Sequence, residues 1–595
     1  MADRVATLSQ VFEAQVRKHG ARVFLKDKPG KVWTDHSWTE VSDAAGKLRA
    51  GLPSLGVRAG DRVAILSENC PEWIIADQAV LGLGAIVVPL YTTSGREETA
   101  HVISDSGAKV VAANGPEMIK KILGLGSSIP EVTAIIAMHR GAEPAAAANG
   151  TPAITTMASV SGDTPAAIVE GSSEDLATII YTSGTTGAPK GVMLSHGNII
   201  SNCEDALAAL TLDASDMTLS HLPIAHSFER TAGYYTVAMA GATIAFAQSL
   251  GQIAANLTEV NPTVVLTVPR LLEVIHSRVM RTVESSPAIR QRLFKMALAA
   301  GEQAAEYRHR GKPLPPMLAL SMALFRRLVF ARVRSIFGNR MRYLISGGAP
   351  LPTEINRFLS AAEIPIVEGY GLTEAAPVVA CNLHNGKTRI GTVGRPLAHI
   401  QVETAADGEL LLRGPNIMKG YYKLDADTKE AIDEQGWLHT GDIAKIDVEG
   451  YISITDRKKE IIVLSGGKNV SPAYVESKLA GDKFISQACV FGDRRKHLAA
   501  LIVPDYENLV EFLASNNLDP KNADALAKSQ ALRTFMHGRI REINKQLSDV
   551  EMIVAFTIVP QPFTQENGEL TPSLKVRRKI VGAHFKEQID SMFGD

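Results

Sequence analysis

Residues 177–191 read Ala-Thr-Ile-Ile-Tyr-Thr-Ser-Gly-Thr-Thr-Gly-Ala-Pro-Lys-Gly. The β-branched run Ala177–Ile180 predicts a buried strand. It empties into a loop where Gly184, Gly187 and Gly191 allow backbone conformations closed to other residues. Ser183, Thr185 and Thr186 add hydroxyl donors, and Lys190 adds a compact positive charge. A strand running into such a loop can aim several N–H groups at one polyphosphate. The spacing is not GxxxxGK[ST], because Lys190 is followed by Gly191, so this is a different phosphate loop from that of the P-loop NTPases.

Outward from the loop, short apolar runs alternate with helical patterns through the first two-thirds of the chain. Strands are expected at 62–66, 85–90, 109–112, 134–138, 264–268, 341–345 and 365–367. That rhythm predicts an α/β fold of mostly parallel sheets covered by helices. Residues 142–171, rich in Ala, Gly, Pro and Thr, are expected to form a loose surface connection. Residues 286–340 predict a basic, amphipathic helical hairpin turning at Gly311-Lys312-Pro313, either packed on the core or touching an anionic membrane or lipid. After Ile390 short strands and turns predict a small β-barrel-like subdomain. A fresh α+β pattern starts near Asp456, so the expected division is 1–456 for a large multi-subdomain N-terminal domain and 457–595 for a small C-terminal one.

Composition excludes several classes. With 62 Lys and Arg against 63 Asp and Glu, no net field steers the chain toward nucleic acid, and an anion site has to be built locally. Four dispersed cysteines, Cys70, Cys203, Cys381 and Cys489, argue against a zinc site or a disulfide framework and for a reducing compartment. No secretory leader is visible at Met1–Arg4, and the most apolar run, 79–91, is shorter than the ~20 residues a spanning helix needs. A cytoplasmic protein is expected, with peripheral membrane contact and homodimer formation left open.

Four further strings follow the loop in order. Ser346-Gly347-Gly348-Ala349-Pro350 ends a predicted strand, where α/β sheets present their ligand crevices. Glu368-Gly369-Tyr370-Gly371-Leu372-Thr373-Glu374 offers an aromatic face for a purine, a hydroxyl for phosphate and a hard oxygen for a divalent cation. Trp437-Leu-His-Thr-Gly-Asp442 ends in a carboxylate suited to a ribose diol. Asp456-Arg457-Lys458-Lys459 opens the C-terminal pattern, with Gly466-Gly467 shortly after. No GxSxG elbow or plausible catalytic cysteine is present, so a protein nucleophile is not expected.

The loop and these strings together resemble the adenylate-forming superfamily, and the likeness spans nearly the whole chain. The resemblance implies ATP and coenzyme A as substrates, Mg²⁺ as cofactor, and formation of an acyl-adenylate followed by a thioester. It implies nucleotide contacts from Thr182, Ser183, Gly184, Thr185, Thr186, Gly187 and Lys190, with Thr186 and Lys190 also acting in catalysis. Gly347, Gly348, Ala349, Pro350, Glu368, Gly369 and Gly371 would border the nucleotide. Tyr370 would cover adenine, Thr373 would meet phosphate, and Glu374 would bind the metal and act in catalysis. Asp442 would hold the ribose, and Arg457 would reach the nucleotide. The family's mobile adenylating lysine matches Lys575, with Arg577, Arg578 and Lys579 as competing cations.

His221-Leu-Pro-Ile-Ala-His226-Ser-Phe228-Glu-Arg resembles the corresponding segment of the long-chain fatty acyl-CoA synthetases. The resemblance implies a fatty acid substrate, with His226 and Phe228 in the acyl site. Adenylation takes no proton from a carboxylic acid already ionised near neutral pH, so His226 is assigned binding. Amino-acid-activating relatives carry an acidic residue in this neighbourhood, and Glu229 keeps that alternative open. A fatty acyl-AMP ligase serving a carrier protein is the nearest enzymatic alternative, and a non-catalytic lipid- or nucleotide-binding protein is a remoter one.

Overall fold

In a computed structural model the described residues are 6–139, 152–182, 188–383, 388–519, 521–571 and 576–594. The chain forms two compact units. The first comprises Met1–Glu403, Leu411–His439 and Ile446–Ser453, and the second Thr404–Leu410, Thr440–Lys445 and Ile454–Asp595.

The first unit is built on two large sheets. One has the strand order Gly420–Tyr421, Lys190–Ser195, Leu176–Thr182, Ile86–Leu90, Arg62–Leu66, Val110–Ala113, Ala134–Ala137 and Ala153–Thr156. It is parallel from Leu176–Thr182 onward and antiparallel at the other edge. Fully buried strands such as Val110–Ala113 and Ala134–Ala137 are apolar at every position, the pattern of a sheet covered on both faces. Helices Pro71–Gly82 and Arg96–Ser106 pack against Ile86–Leu90.

The other sheet runs Arg395–Pro396, Val378–Cys381, Ile366–Gly371, Tyr343–Ser346, Val264–Thr267, Met217–Ser220, Thr243–Phe246, Val23–Asp27 and Thr34–Ser37. Its centre is parallel and both edges are antiparallel. Every strand expected from sequence is present, with ends shifted by at most two residues except at 365–367, where the strand runs on to Gly371 as Ile366–Gly371. Helices Ala288–His309 and Pro316–Phe325 form the expected hairpin and pack on one another.

One expectation is corrected. Residues 142–151 lie outside the described residues, but 152–171 are not loose. Ala153–Thr156 is a parallel edge strand beside Ala134–Ala137. Beyond it the backbone N–H groups of Gly162, Ala166 and Val169 donate to the carbonyls of Lys47, Gly46 and Gly82 at 2.8–3.0 Å. Small residues suit a strap laid this closely over two helices: a Cβ on Gly46 would stand 2.7 Å from Pro165.

A four-stranded sheet, Gln401–Thr404, Glu409–Arg413, Leu438–Ile446 and Ile452–Arg457, supplies the small β-rich part. The second unit carries its own core around the three strands Ile485–Phe491, Leu498–Pro504 and Ile553–Ile558 and the helices Pro472–Ala480 and Gln530–Asn544. Its strand Leu498–Pro504 is buried throughout.

Candidate active site

The hairpin Leu176–Thr182/Lys190–Ser195 places Thr182 directly opposite Lys190. The loop residues Ser183, Gly184, Thr185, Thr186 and Gly187, like Lys575, lie outside the described residues. Gly191 owes its identity to packing as much as to the loop, since a Cβ there would meet Ile179 at 2.7 Å and the Tyr181 ring at 3.0 Å. Lys190 pairs with Asp427, and its ammonium stands 5.1 Å from the centre of the Tyr421 ring. Tyr421 sits on the edge strand paired with Val192 and donates its hydroxyl to Glu374 Oε1 at 3.0 Å. Burial, then the neighbouring Glu374 carboxylate, pushes the Tyr421 phenol up, so it remains the donor in this bond.

Glu374 lies in the short turn Thr373–Ala375, which follows the strand Ile366–Gly371. Two backbone carbonyls of this turn are tied down: Glu374 O accepts from the Met418 N–H at 2.9 Å, and Ala375 O from Asn416 Nδ2 at 2.6 Å. The Thr373 and Ser227 hydroxyl oxygens are 3.0 Å apart. Gly369 and Tyr370 pair with Cys381 and Ala380 on the next strand. Glu368 is buried, and burial pushes its carboxyl up to about 7. It accepts from the Leu351 N–H at 3.2 Å, which fixes the turn after Ser346. In that turn Gly348, Ala349 and Pro350 are exposed, while Gly347 is buried.

Gly347 and Phe228 are neighbours. A Cβ on Gly347 would stand 3.0 Å from Phe228 Cζ, so the ring lies flush against the glycine backbone. The Phe228 N–H donates to His226 Nδ1 at 3.2 Å, which in the neutral ring leaves the proton on Nε2. The His226 ring lies 6.3 Å from the Tyr91 ring, edge-on.

From Glu229 the chain enters a π-helix, Glu229–Tyr235, a geometry frequent beside functional sites. A fully buried network holds it. Arg230 pairs with Asp77 and donates to Thr178 Oγ1 at 2.7 Å and to the Tyr235 hydroxyl at 3.0 Å. Glu229 is also buried, and burial pushes its carboxyl up to about 8. It accepts from the Ser220 hydroxyl at 2.5 Å.

In the second unit Arg457 Nε donates to Asp442 Oδ1 at 3.1 Å, joining two residues that the sequence separately marks for the nucleotide. The Asp442 carboxylate is nearly buried, and its backbone N–H donates to Thr440 Oγ1 at 3.1 Å. Lys458 is engaged by Asp407 and Glu409, and the next residue, Lys459, is exposed. Gly466 and Gly467 form the open turn of a small ribbon, Ile462–Val463 with Asn469–Val470. Of the competing cations, Arg578 is tied to Glu476 at 2.5 Å, to Glu460 at 3.6 Å and to the Val490 carbonyl at 2.9 Å, so it is structural. The Arg577 N–H donates to Glu569 O at 2.7 Å, and Lys579 is exposed.

Sequence reasoning missed Tyr421, Asp427 and Ser227. Ser227 lay within the quoted string, but nothing local pointed it at Thr373, and the other two lie outside every string.

This fold and these motifs define an enzyme class, and the chain belongs to the AMP-binding enzyme family. The family's model matches residues 12–422, and that of the AMP-binding enzyme C-terminal domain matches 459–595. The chain is 36% identical over 574 residues to the long-chain-fatty-acid–CoA ligase FadD15 of Mycobacterium bovis, covering 94% of this chain and 93% of that one. It is 32% identical over 622 residues to the peroxisomal long chain acyl-CoA synthetase 6 of Arabidopsis thaliana, covering 99% and 86%. Among solved structures, the adenylation domain of a carboxylate reductase from Mycobacterium chelonae shares the fold. Its TM-score is 0.81 at 22% identity, over 100% of this chain and 92% of that one.

Proposed function

We propose that the protein is an AMP-forming long-chain fatty acid–CoA ligase. A fatty acid carboxylate oxygen attacks the α-phosphorus of ATP, giving the acyl-adenylate and expelling pyrophosphate. The CoA thiol then attacks the acyl carbonyl, losing its proton, and AMP leaves with the bridging oxygen. The observation that supports this reading best is the contact of the His226-Ser227-Phe228 segment with both nucleotide strings, through Ser227–Thr373 and Phe228–Gly347.

The barrier to the first step is largely repulsion between anions, and fixed donors and cations lower it by positioning and electrostatics. The hydroxyls and N–H groups of 182–187 take the phosphates, with Thr186 and Lys190 acting in the transfer. Lys190 meets the phosphates by exchanging its Asp427 partner. Tyr370 covers adenine beside Gly347–Pro350, and Asp442, aligned by Arg457, takes the ribose hydroxyls. Lys575 stabilises charge on the α-phosphate in the adenylation step. Lys459 marks the pivot at which the C-terminal part, from residue 457, turns between the half-reactions, and Gly466 and Gly467 then face pantetheine.

Among the described residues no group of three or more His, Cys, Asp or Glu could hold a metal. A single carboxylate such as Glu374 fits Mg²⁺, which is commonly bound by one or two carboxylates together with substrate phosphates. When bound, it neutralises phosphate charge. Among the described residues no helix is long and apolar enough to cross a membrane, and a cytoplasmic location fits this reading.

The test is to incubate the purified protein with palmitate, ATP and Mg²⁺, adding either CoA or a phosphopantetheinylated carrier protein. Palmitoyl-CoA formation with equimolar AMP is expected. Adenylate that accumulates without transfer to CoA, or that passes only to the carrier, overturns the reading.

A further inference from the structure

The helices between Pro269 and Arg334 take no part in the chemistry above, yet their outer surface is unusual. Their inner faces join one core, through Leu272, Phe294, Met322 and Phe330 among others. Their outer faces are apolar as well. Met317, Leu320, Leu324 and Leu328 are 76%, 68%, 54% and 51% exposed. They recur at three- and four-residue spacing, which lines them along one side of a continuous helical stretch. On the neighbouring helix Ile289 and Met296 are exposed to a similar degree. Seven of the sixteen large hydrophobic side chains exposed among the described residues fall within 270–334. Single exposed hydrophobics are ordinary, whereas a concentration marks an interaction surface.

The charge of this region is as lopsided. Residues 270–334 contain thirteen Lys and Arg and four Glu, in a chain of net charge −1. Arg308, Arg326 and Arg334 converge on Glu363 and are structural. Arg278, Arg292, Lys295, Arg327 and Arg332 make no ion pair among the described residues. Exposed leucines and methionines interleaved with unpaired cations call for a partner that is both apolar and anionic.

We propose that this helical face docks on the surface of a bilayer containing anionic lipid, with the leucine and methionine stripe entering the acyl boundary and the unpaired arginines meeting lipid phosphates. A helix that lies in the interface needs an apolar face and basic flanks, as here. The proposed fatty acid substrate partitions into bilayers, so docking places the enzyme where its substrate is concentrated. That last link rests on the proposed function, whereas the docking itself does not.

The experiment is vesicle flotation of the full chain with phosphatidylcholine vesicles containing 30% phosphatidylglycerol, or none, at low salt and at 0.5 M salt. At low salt at least tenfold more protein should float with the anionic vesicles, and added salt should release most of it. L320D/L324D and R327E/R332E should each reduce flotation at least tenfold. Both should retain wild-type pyrophosphate release with octanoate, a soluble acid, and a wild-type melting temperature. Absence of flotation, or flotation indifferent to the variants, overturns the proposal. So does a wild-type dimer that the variants split, because the face would then be covered by a second copy. Octanoate turnover reports separately on the proposed reaction.

Discussion

Ser227 Oγ and Thr373 Oγ1 lie 3.0 Å apart although 146 residues separate them. Ser227 lies inside the string 221–230 and Thr373 inside the string 368–374, so each hydroxyl fixes the other's direction. A neutral hydrogen bond of this kind contributes about 1 kcal/mol. Ser227→Ala and Thr373→Val should each lower kcat/KM for palmitate about fivefold or more. The double variant should lose about fivefold less than the product of the two, the mark of directly coupled residues. Strictly multiplicative losses would show that the hydroxyls act independently.

The Phe228 ring lies against Gly347, and an added methyl would force it to move. Overpacking of this kind costs about 1–3 kcal/mol. Gly347→Ala should therefore raise the KM for palmitate about tenfold. Trimming the ring in Gly347→Ala/Phe228→Leu should recover most of the loss. Steady-state kinetics on the two proteins decide the matter, and failure of the rescue would put the cause elsewhere.

Glu229 is the clearest pH-dependent group at the site. Its folded-state carboxyl is pushed up to about 8 from an ordinary value of 4.5 by burial. Between those values the folded chain holds a proton that the unfolded chain has lost. The stability this gives is complete below about pH 4.5 and declines as pH rises through 8, by at most about 1.4 kcal/mol per pH unit. Glu229→Gln should remove that slope, so the melting-temperature difference between variant and wild type should grow in the variant's favour from pH 5 to pH 8. A difference constant over this range would mean that the carboxyl is already ionised.

How much of this was legible beforehand follows from how far apart the partners lie. The strands were readable because Val110–Ala113 or Ala134–Ala137 are apolar at each position, and the strings because chemistry concentrates in them. The pairs that assemble the site were not readable. Tyr421 reaches Glu374 across 47 residues and Lys190 reaches Asp427 across 237, and sheet order, not local pattern, decides such meetings. The strap at 152–171 was missed because its Ala, Pro and Thr look like linker, while the features that hold it are carbonyls of distant helices. Arg578 competes with Lys575 in the sequence because its partners Glu476 and Glu460, which make it structural, lie far upstream.

Lys575 carries the sharpest mechanistic expectation. Removing one well-aimed charge from a transition state costs roughly 10²–10³ in rate. Lys575→Ala should lose at least that much in palmitate-dependent pyrophosphate release. It should still convert supplied palmitoyl-AMP and CoA to the thioester within about threefold of wild type, because the second step does not use this charge. Equal loss in both half-reactions would remove the lysine from its assigned role.

The central claim is that an acyl oxygen joins the α-phosphorus and departs with AMP. Palmitate labelled with ¹⁸O in its carboxylate, turned over with ATP and CoA and read by mass spectrometry, tests it directly. The account predicts one ¹⁸O in each AMP and none in pyrophosphate. Label in inorganic phosphate or pyrophosphate, ADP as a product, or unlabelled AMP would contradict it.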